Sequence, residues 1–251
     1  MGTAFIGKAK VRVALYSLGA TFASRPLFDL ENTSRFELSF AEEEKKLADY
    51  RSASGGTDSS SKRIDTITGS MDARHLTPAN LALALWGAST ALNATPIVDE
   101  AGFKIVPNMF LPTARLLDTA VAPVVKKGAT VIDTDDYTVS PGGILIASSI
   151  TTATVVSGDS VTISYTPKLS HDVQALISSA PDISIHIEGI NEIDGKYTIG
   201  KVWKAKMGVA QNVGLISDDF AILSLNFTIQ KDETISSAGS KSQYFMLEAQ
   251  D

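Results

Sequence analysis

The chain is 251 residues long, with 44% hydrophobic and 20% charged residues and a formal net charge of −6. That composition excludes wholesale disorder, and the acidic balance argues against a protein that grips nucleic acid through a basic patch. Cysteine is absent, which excludes disulfides and thiolate metal sites; no apolar run approaches the about 20 residues that span a bilayer, so no membrane partner is expected.

The N-terminal stretch MGTAFIGKAKVRVALYSLGA alternates apolar and polar residues around Lys8, Lys10 and Arg12. It lacks the unbroken apolar core of a signal peptide, and Val11, Val13 and Leu15 predict a half-buried strand. RFELSF places Phe36, Leu38 and Phe40 on one side and Arg35, Glu37 and Ser39 on the other, a second strand. The charged run AEEEKKLADY then enters RSASGGTDSSSKR, where residues 50–63 read as a polar, Gly/Ser-rich loop. Next, IDTITGSMD sets Thr66, Thr68, Ser70 and Asp72 on one face of a strand and Ile67, Gly69 and Met71 on the other.

TPANLALALWG predicts a helix: Thr77 can cap its start, Pro78 fits its first turn and Gly87 can close it. Leu81, Leu85 and Trp86 would then share the face that covers a sheet. From about 91 to 170 the sequence is rich in Thr, Val and Ile and punctuated at Pro141-Gly142-Gly143 and Ser157-Gly158-Asp159, which predicts several short strands with tight turns. SHDVQALISSAP is a second helix candidate, starting at Ser170 and stopping before Pro181. Strands over 183–190 and 196–206 flank Asp194-Gly195 as a hairpin, and residues 221–230 alternate as a closing strand. Under strict alternation, Lys201, Lys204 and Lys206 fall on both faces of one strand, which would send some of that charge to subunit contacts or the outside.

Chemistry candidates fail on spacing. A phosphate loop needs G-x-x-x-x-G-K-[ST] before a helix, whereas Lys62 follows Ser61, precedes Arg63 and leads into a strand. His75, His171 and His186 have no metal-ligand spacing. Asp133, Asp135 and Asp136 lack the Gly and Glu of a calcium loop and read as turn caps. Asp218 and Asp219 are adjacent and cannot bracket one bond. Neither an enzyme nor a cofactor or metal site is expected.

The strand RFELSF, the charged stretch and long loop after it, the strand IDTITGSMDA and the single capped helix together resemble the tail tube (major tail) proteins of long-tailed bacteriophages. So do ISIHIEGINEIDGKYTIGKVWKAKMG and GLISDDFAILSLNFTIQKD near the C-terminus. The resemblance covers roughly residues 25–90 and 180–248. It implies a mainly β fold, an antiparallel β-sandwich or half-barrel with one flanking α-helix, formed by residues 1–90 and 180–251. Residues 91–179 would be an inserted β-rich elaboration on the outer surface. Six copies would form a ring with a continuous β-barrel lumen, and stacked rings would form a conduit for DNA in the virion, assembled in the host cytoplasm. Expected partners are further copies of the chain, tail tip or baseplate initiator, tape measure and terminator proteins, and DNA in transient, non-specific passage.

Under this resemblance the inter-subunit loop comprises Tyr50, Arg51, Ser54, Gly55, Gly56, Asp58, Lys62 and Arg63. Its basic members would meet Glu42, Glu43 and Glu44 of another copy, the loop staying disordered until rings stack. The lumen candidates are Glu37, Ser39, Thr66, Thr68, Ser70, Asp72, Ser184, His186 and Glu188, a lining of hydroxyls and carboxylates that lets a duplex slide. The competing expectation is a β-rich adhesin or virion-decoration protein that forms no tube.

Overall fold

The computed structural model describes residues 7–51, 55–216, 218–236, 238 and 241–251. The described residues are mainly β, with one α-helix and several antiparallel sheets. The strands run β1 (Gly7–Leu15), β2 (Phe28–Asp29), β3 (Thr33–Ala48) and β4 (Thr57–Ala73), then helix α1 (Pro78–Ala84) and β5 (Ala88–Leu92). A middle set follows: β6 (Ile97–Lys104), β7 (Phe110–Pro112), β8 (Val124–Lys127), β9 (Thr130–Val131), β10 (Tyr137–Ser140), β11 (Gly143–Ile146) and β12 (Ser160–Tyr165). The chain closes with β13 (Ser170–Gln174), β14 (Asp182–Asn191), β15 (Tyr197–Met207), β16 (Leu223–Gln230) and β17 (Phe245–Ala249).

These elements form two compact units, one of Met1–Ser89 with Val173–Asp251 and the other of Thr90–Asp172. Sequence reasoning put the return crossing later, at 179, and offered residues 170–180 as a second, weaker helix. Instead Ser170–Gln174 is β13, which pairs with β5. The β-branched Val173 and the long-range strand partner override a weak local helix signal.

In the first unit an eight-stranded sheet runs β2-β1-β14-β15-β16-β4-β3, with β17 pairing to the first half of β15. Every pairing is antiparallel, and side chains facing each other across the strands share a face. One face is apolar: Val11, Val13, Ile183, Ile185, Val202, Met207, Leu225, Phe227, Ile67 and Met71 form a single buried cluster with Leu83 and Ala84 of α1. Burying each large side chain of this set contributes roughly 1.5–3 kcal/mol. The sheet curls, so that Phe36, Leu38 and Phe40 of β3 line one open cavity of about 860 Å³ with Ala9 and Val11 of β1 and Phe245 and Leu247 of β17. Gly69 has a packing reason: a Cβ there would lie 2.3 Å from the Phe227 ring.

Helix α1 starts as its sequence dictates, with the Thr77 side chain accepting from the Asn80 N–H at 3.2 Å and Pro78 in the first turn. Its end differs from expectation. Trp86, not Gly87, takes the left-handed position, at φ 49°, while Trp86 N–H reaches Leu83 O at 3.4 Å and Gly87 N–H reaches Ala82 O at 2.8 Å. Gly87 is needed for closeness, because a Cβ would meet Gln174 O at 2.1 Å. The buried face is Asn80, Leu83 and Ala84, with Leu81, Leu85 and Trp86 only half-buried. Asn80 turns inward because its amide donates to Leu30 O and His75 O, at 3.2 and 2.9 Å.

The second unit has its own core. The three-stranded sheet β10-β11-β7 and the four-stranded sheet β6-β12-β8-β9 contribute Tyr137, Ile144, Leu111, Val125, Val161 and Ile163 to one cluster, a small β-sandwich. Asp133 caps a short turn by accepting from Asp135 N–H at 3.2 Å. Asp136 is buried and accepts four hydrogen bonds, from the N–H and hydroxyl groups of Thr151 and Thr152. Burial alone would raise its pKa; those bonds outweigh it and hold the carboxyl at about 2.

Candidate functional site

The face of the large sheet opposite its core is polar over most of its width. From β3 inward, Glu37 lies across from Ser70, Ser39 from Thr68 and Ala41 from Thr66; Ser224, Asn226 and Thr228 of β16 continue these rows beyond Asp72, Ser70 and Thr68. On the far side, Lys10 and Arg12 of β1 oppose Glu188 and His186 of β14. Sequence alternation therefore brought all nine lumen candidates to one face of one sheet, although they come from β3, β4 and β14.

Two features of that face depart from expectation. First, the three lysines of β15 do not split between faces. Ile185 pairs with Val202 and Ile183 with Ala205, so Trp203 and Lys204 together oppose the single residue Ser184 in a β-bulge. One extra residue re-phases the strand, and Lys201, Lys204 and Lys206 all lie on the polar face, opposite His186, Ser184 and Asp182. The face is thus not a lining of hydroxyls and carboxylates alone; it carries cations in ion pairs. Arg35 Nε lies 2.8 Å from Asp72, Arg12 Nη1 2.9 Å from Glu188, and Lys204 and Lys206 are 3.4 and 3.0 Å from Asp182.

Second, Ser184 is fully buried and cannot line a channel. The Arg25 guanidinium, only 4% exposed, donates to Ser184 Oγ at 2.6 Å and to Trp203 O at 2.8 Å, and pairs with the buried Asp232 carboxylate at 3.3 Å. Tyr16 completes the knot, with Arg25 stacked 4.3 Å from its ring centre and its hydroxyl 3.1 Å from Asp232 Oδ1. Phe22 packs edge-on to Trp203, with 5.3 Å between ring centres. Sequence reasoning missed this cover because its members stand up to 216 positions apart and share no period.

Titration of the face follows its contacts. Burial would raise Asp72, but hydrogen bonds from Arg35 and Ser224 hold it below the usual carboxylate value. The Arg12 hydrogen bond lowers Glu188. Burial lowers His186, and the charges of Arg12 and Lys201 add to this against an opposing effect of Glu188.

The loop expected over residues 50–63 is in large part strand. β3 and β4 stay paired to Ala48 and Thr57, with register shifts at Ala41/Glu42 and Leu47/Ala48, leaving a connection of residues 49–56. Asp58, Lys62 and Arg63 belong to β4; Gly55 and Gly56 take φ of 67° and 131°, and Asp49 N–H closes the turn on Gly56 O at 2.9 Å. Tyr50 is 88% exposed, and Arg51 N–H donates to Asp49 Oδ1 at 2.7 Å. Ser54 lies outside the described residues. Before Thr68, β4 has only β3 as a strand neighbour, so Ala41–Ala48 and their partners project as a two-stranded arm, about 25 Å long at strand rise.

Within the chain itself the acidic run already has basic neighbours. Glu43 pairs with Arg63 directly across the arm, Lys62 lies 3.9 Å from Glu42, and Glu44 is 3.3 Å from Lys46. Charges on both faces of the arm explain why alternation could not reveal it as strand.

Fold and face together define an antiparallel β protein with a charge-paired polar sheet face and a projecting hairpin. The chain belongs to the family described as "Protein of unknown function UCP028589", whose model matches residues 4–248. No curated protein matches the sequence.

Proposed function

We propose that the protein is a structural virion protein of the tail tube class, polymerising as stacked hexameric rings into a hollow conduit for DNA ejection. The observation that carries this reading is the pairing of a largely polar sheet face with an apolar reverse face on a sheet whose edge strand, β3, runs on into an exposed arm. A sheet with one wetted face suits a channel wall, and joining such sheets edge to edge removes the unpaired strand edges that invite uncontrolled association. Among the described residues no further strand pairs with the arm, and an isolated two-stranded hairpin is marginal in water; a neighbouring ring is the partner this reading gives it. The second unit, with a core of its own, is an outer elaboration, because six copies of it inside a ring would obstruct the channel.

Negative-stain electron microscopy of the purified protein at high concentration tests the proposal. Hollow tubes with regular striations are expected. Particles that remain strictly monomeric or trimeric would replace it with the adhesin or decoration reading, in which the second unit is the binding module.

A further inference from the structure

Among the described residues the strands of the polar face carry, outside the arm, seven strong cations, Lys8, Lys10, Arg12, Arg35, Lys201, Lys204 and Lys206, brought to one side by strand register and the β15 bulge. On a protein with a formal net charge of −6, such a concentration on one sheet face is the arrangement that binds phosphate backbones. Yet Arg35, Arg12, Lys204 and Lys206 each have a carboxylate of the same face within 3.4 Å, from Asp72, Glu188 and Asp182, and Glu37 and Asp29 stand second at 3.5 Å from Arg35 and 4.0 Å from Arg12. Asp182 holds two lysines at once, and Asp72 also accepts from Ser224 Oγ at 2.7 Å.

We infer that this face is a latent polyanion-binding surface, silenced by Asp72, Asp182 and Glu188, which occupy the donors that would otherwise reach phosphates. A phosphate approaching Arg35 or Arg12 must displace a carboxylate that is already hydrogen-bonded and then lie beside it, so the exchange releases little free energy. Lowered pKa values keep Asp72 and Glu188 ionised at neutral pH. The inference deepens the channel reading, since a wall that needs cations for its own packing can still let a duplex slide if most of them are masked.

The test measures binding of a fluorescent synthetic DNA duplex to purified protein by anisotropy, at 50 and 200 mM salt, for Asp72→Asn, Asp182→Asn, Glu188→Gln and the triple variant. Wild type is expected to bind weakly. The triple variant should bind at least about tenfold more tightly at low salt, with the slope of log affinity against log salt steeper by about 0.9 for each cation freed. Glu188 is the partner least bound into the fold, its side chain being 47% exposed; Glu188→Gln alone should gain affinity, and Arg12→Gln/Glu188→Gln should lose that gain. A wild type that binds as tightly as the triple variant, or a Glu188→Gln variant with no gain, overturns the inference whether or not tubes form. Absence of tubes in the microscope overturns the channel reading and leaves the masking measurement intact.

Discussion

Replacing Arg25 with Met keeps most of the side chain's length and removes its charge. Asp232, 0% exposed, would lose its ion-pair partner and keep bonds from Tyr16 Oη at 3.1 Å, Thr234 N–H at 3.0 Å and Thr234 Oγ1 at 2.6 Å. Ser184 Oγ would lose a 2.6 Å donor and Ala20 O a 3.0 Å donor. Breaking one side of a buried ion pair costs about 3–5 kcal/mol, against a total stability of about 5–15 kcal/mol for an ordinary domain. In urea, with a slope of about 2 kcal/mol/M, the midpoint should fall by about 1.5–2.5 M. Tryptophan emission reads it directly, because Trp203 packs on Phe22 and its carbonyl receives Arg25. Arg25→Met/Asp232→Leu should recover most of the loss, since an apolar replacement of both partners strands no charge. Hydrogen bonds hold Asp232 below the usual carboxyl range against the opposing effect of burial. Its contribution is therefore complete above the unfolded carboxyl value of about 3.9 and is lost as pH falls through the lower folded value, so the gap between wild type and Arg25→Met should narrow in acid. A single-variant loss below about 1 kcal/mol, or a double variant no more stable than the single, would refute the assignment of the cover to this pair.

Gly69→Val should destabilise by about 1–3 kcal/mol through overpacking against Phe227, measured as a lower thermal midpoint; an unchanged midpoint contradicts the tight approach. The Asp136 carboxyl, held at about 2 against an unfolded value of about 3.9, contributes on the order of 2 kcal/mol that is complete above pH 4 and disappears as pH falls towards 2. Asp136→Asn should abolish that acid slope in hydrogen exchange of residues 90–172. Replacing residues 46–60 with Asn-Gly would join the in-register pair Lys45 and Ser61; the variant should fold and form no tubes, and tubes of normal length from it would remove the arm from assembly. Glu43→Lys should cost less than about 1 kcal/mol in folding, the pair with Arg63 being exposed, as read from its urea midpoint.

Where strands bury one side, period two was enough. Val11 and Val13, Phe36 and Leu38, and Leu223, Leu225 and Phe227 alternate with polar neighbours and occupy the predicted face. The helix start was equally readable, because Thr77 and Pro78 act through bonds within one turn. Failures fall where the deciding contact is distant. Ser170–Gln174 is strand because β5 pairs with it, and Asn80 faces inward because Leu30 O and His75 O wait for it.

The polar face shows the same division, and the division bears on function. Alternation finds its members strand by strand, yet its charge balance depends on the bulge at Trp203–Lys204, which no local pattern announces. Under strict alternation of the same sequence, with no bulge, Lys204 and Lys206 would point into the apolar core, where each unpaired charge costs several kcal/mol. With it, both reach Asp182. The bulge is thus required by the core as much as by the face: Ala205 and Met207 are buried only because the strand is re-phased. Straightening the bulge while keeping both Trp203 and Lys204 in the strand would exchange the faces for the rest of β15, so the wall's charge pairing and the fold's stability depend on the same irregular step.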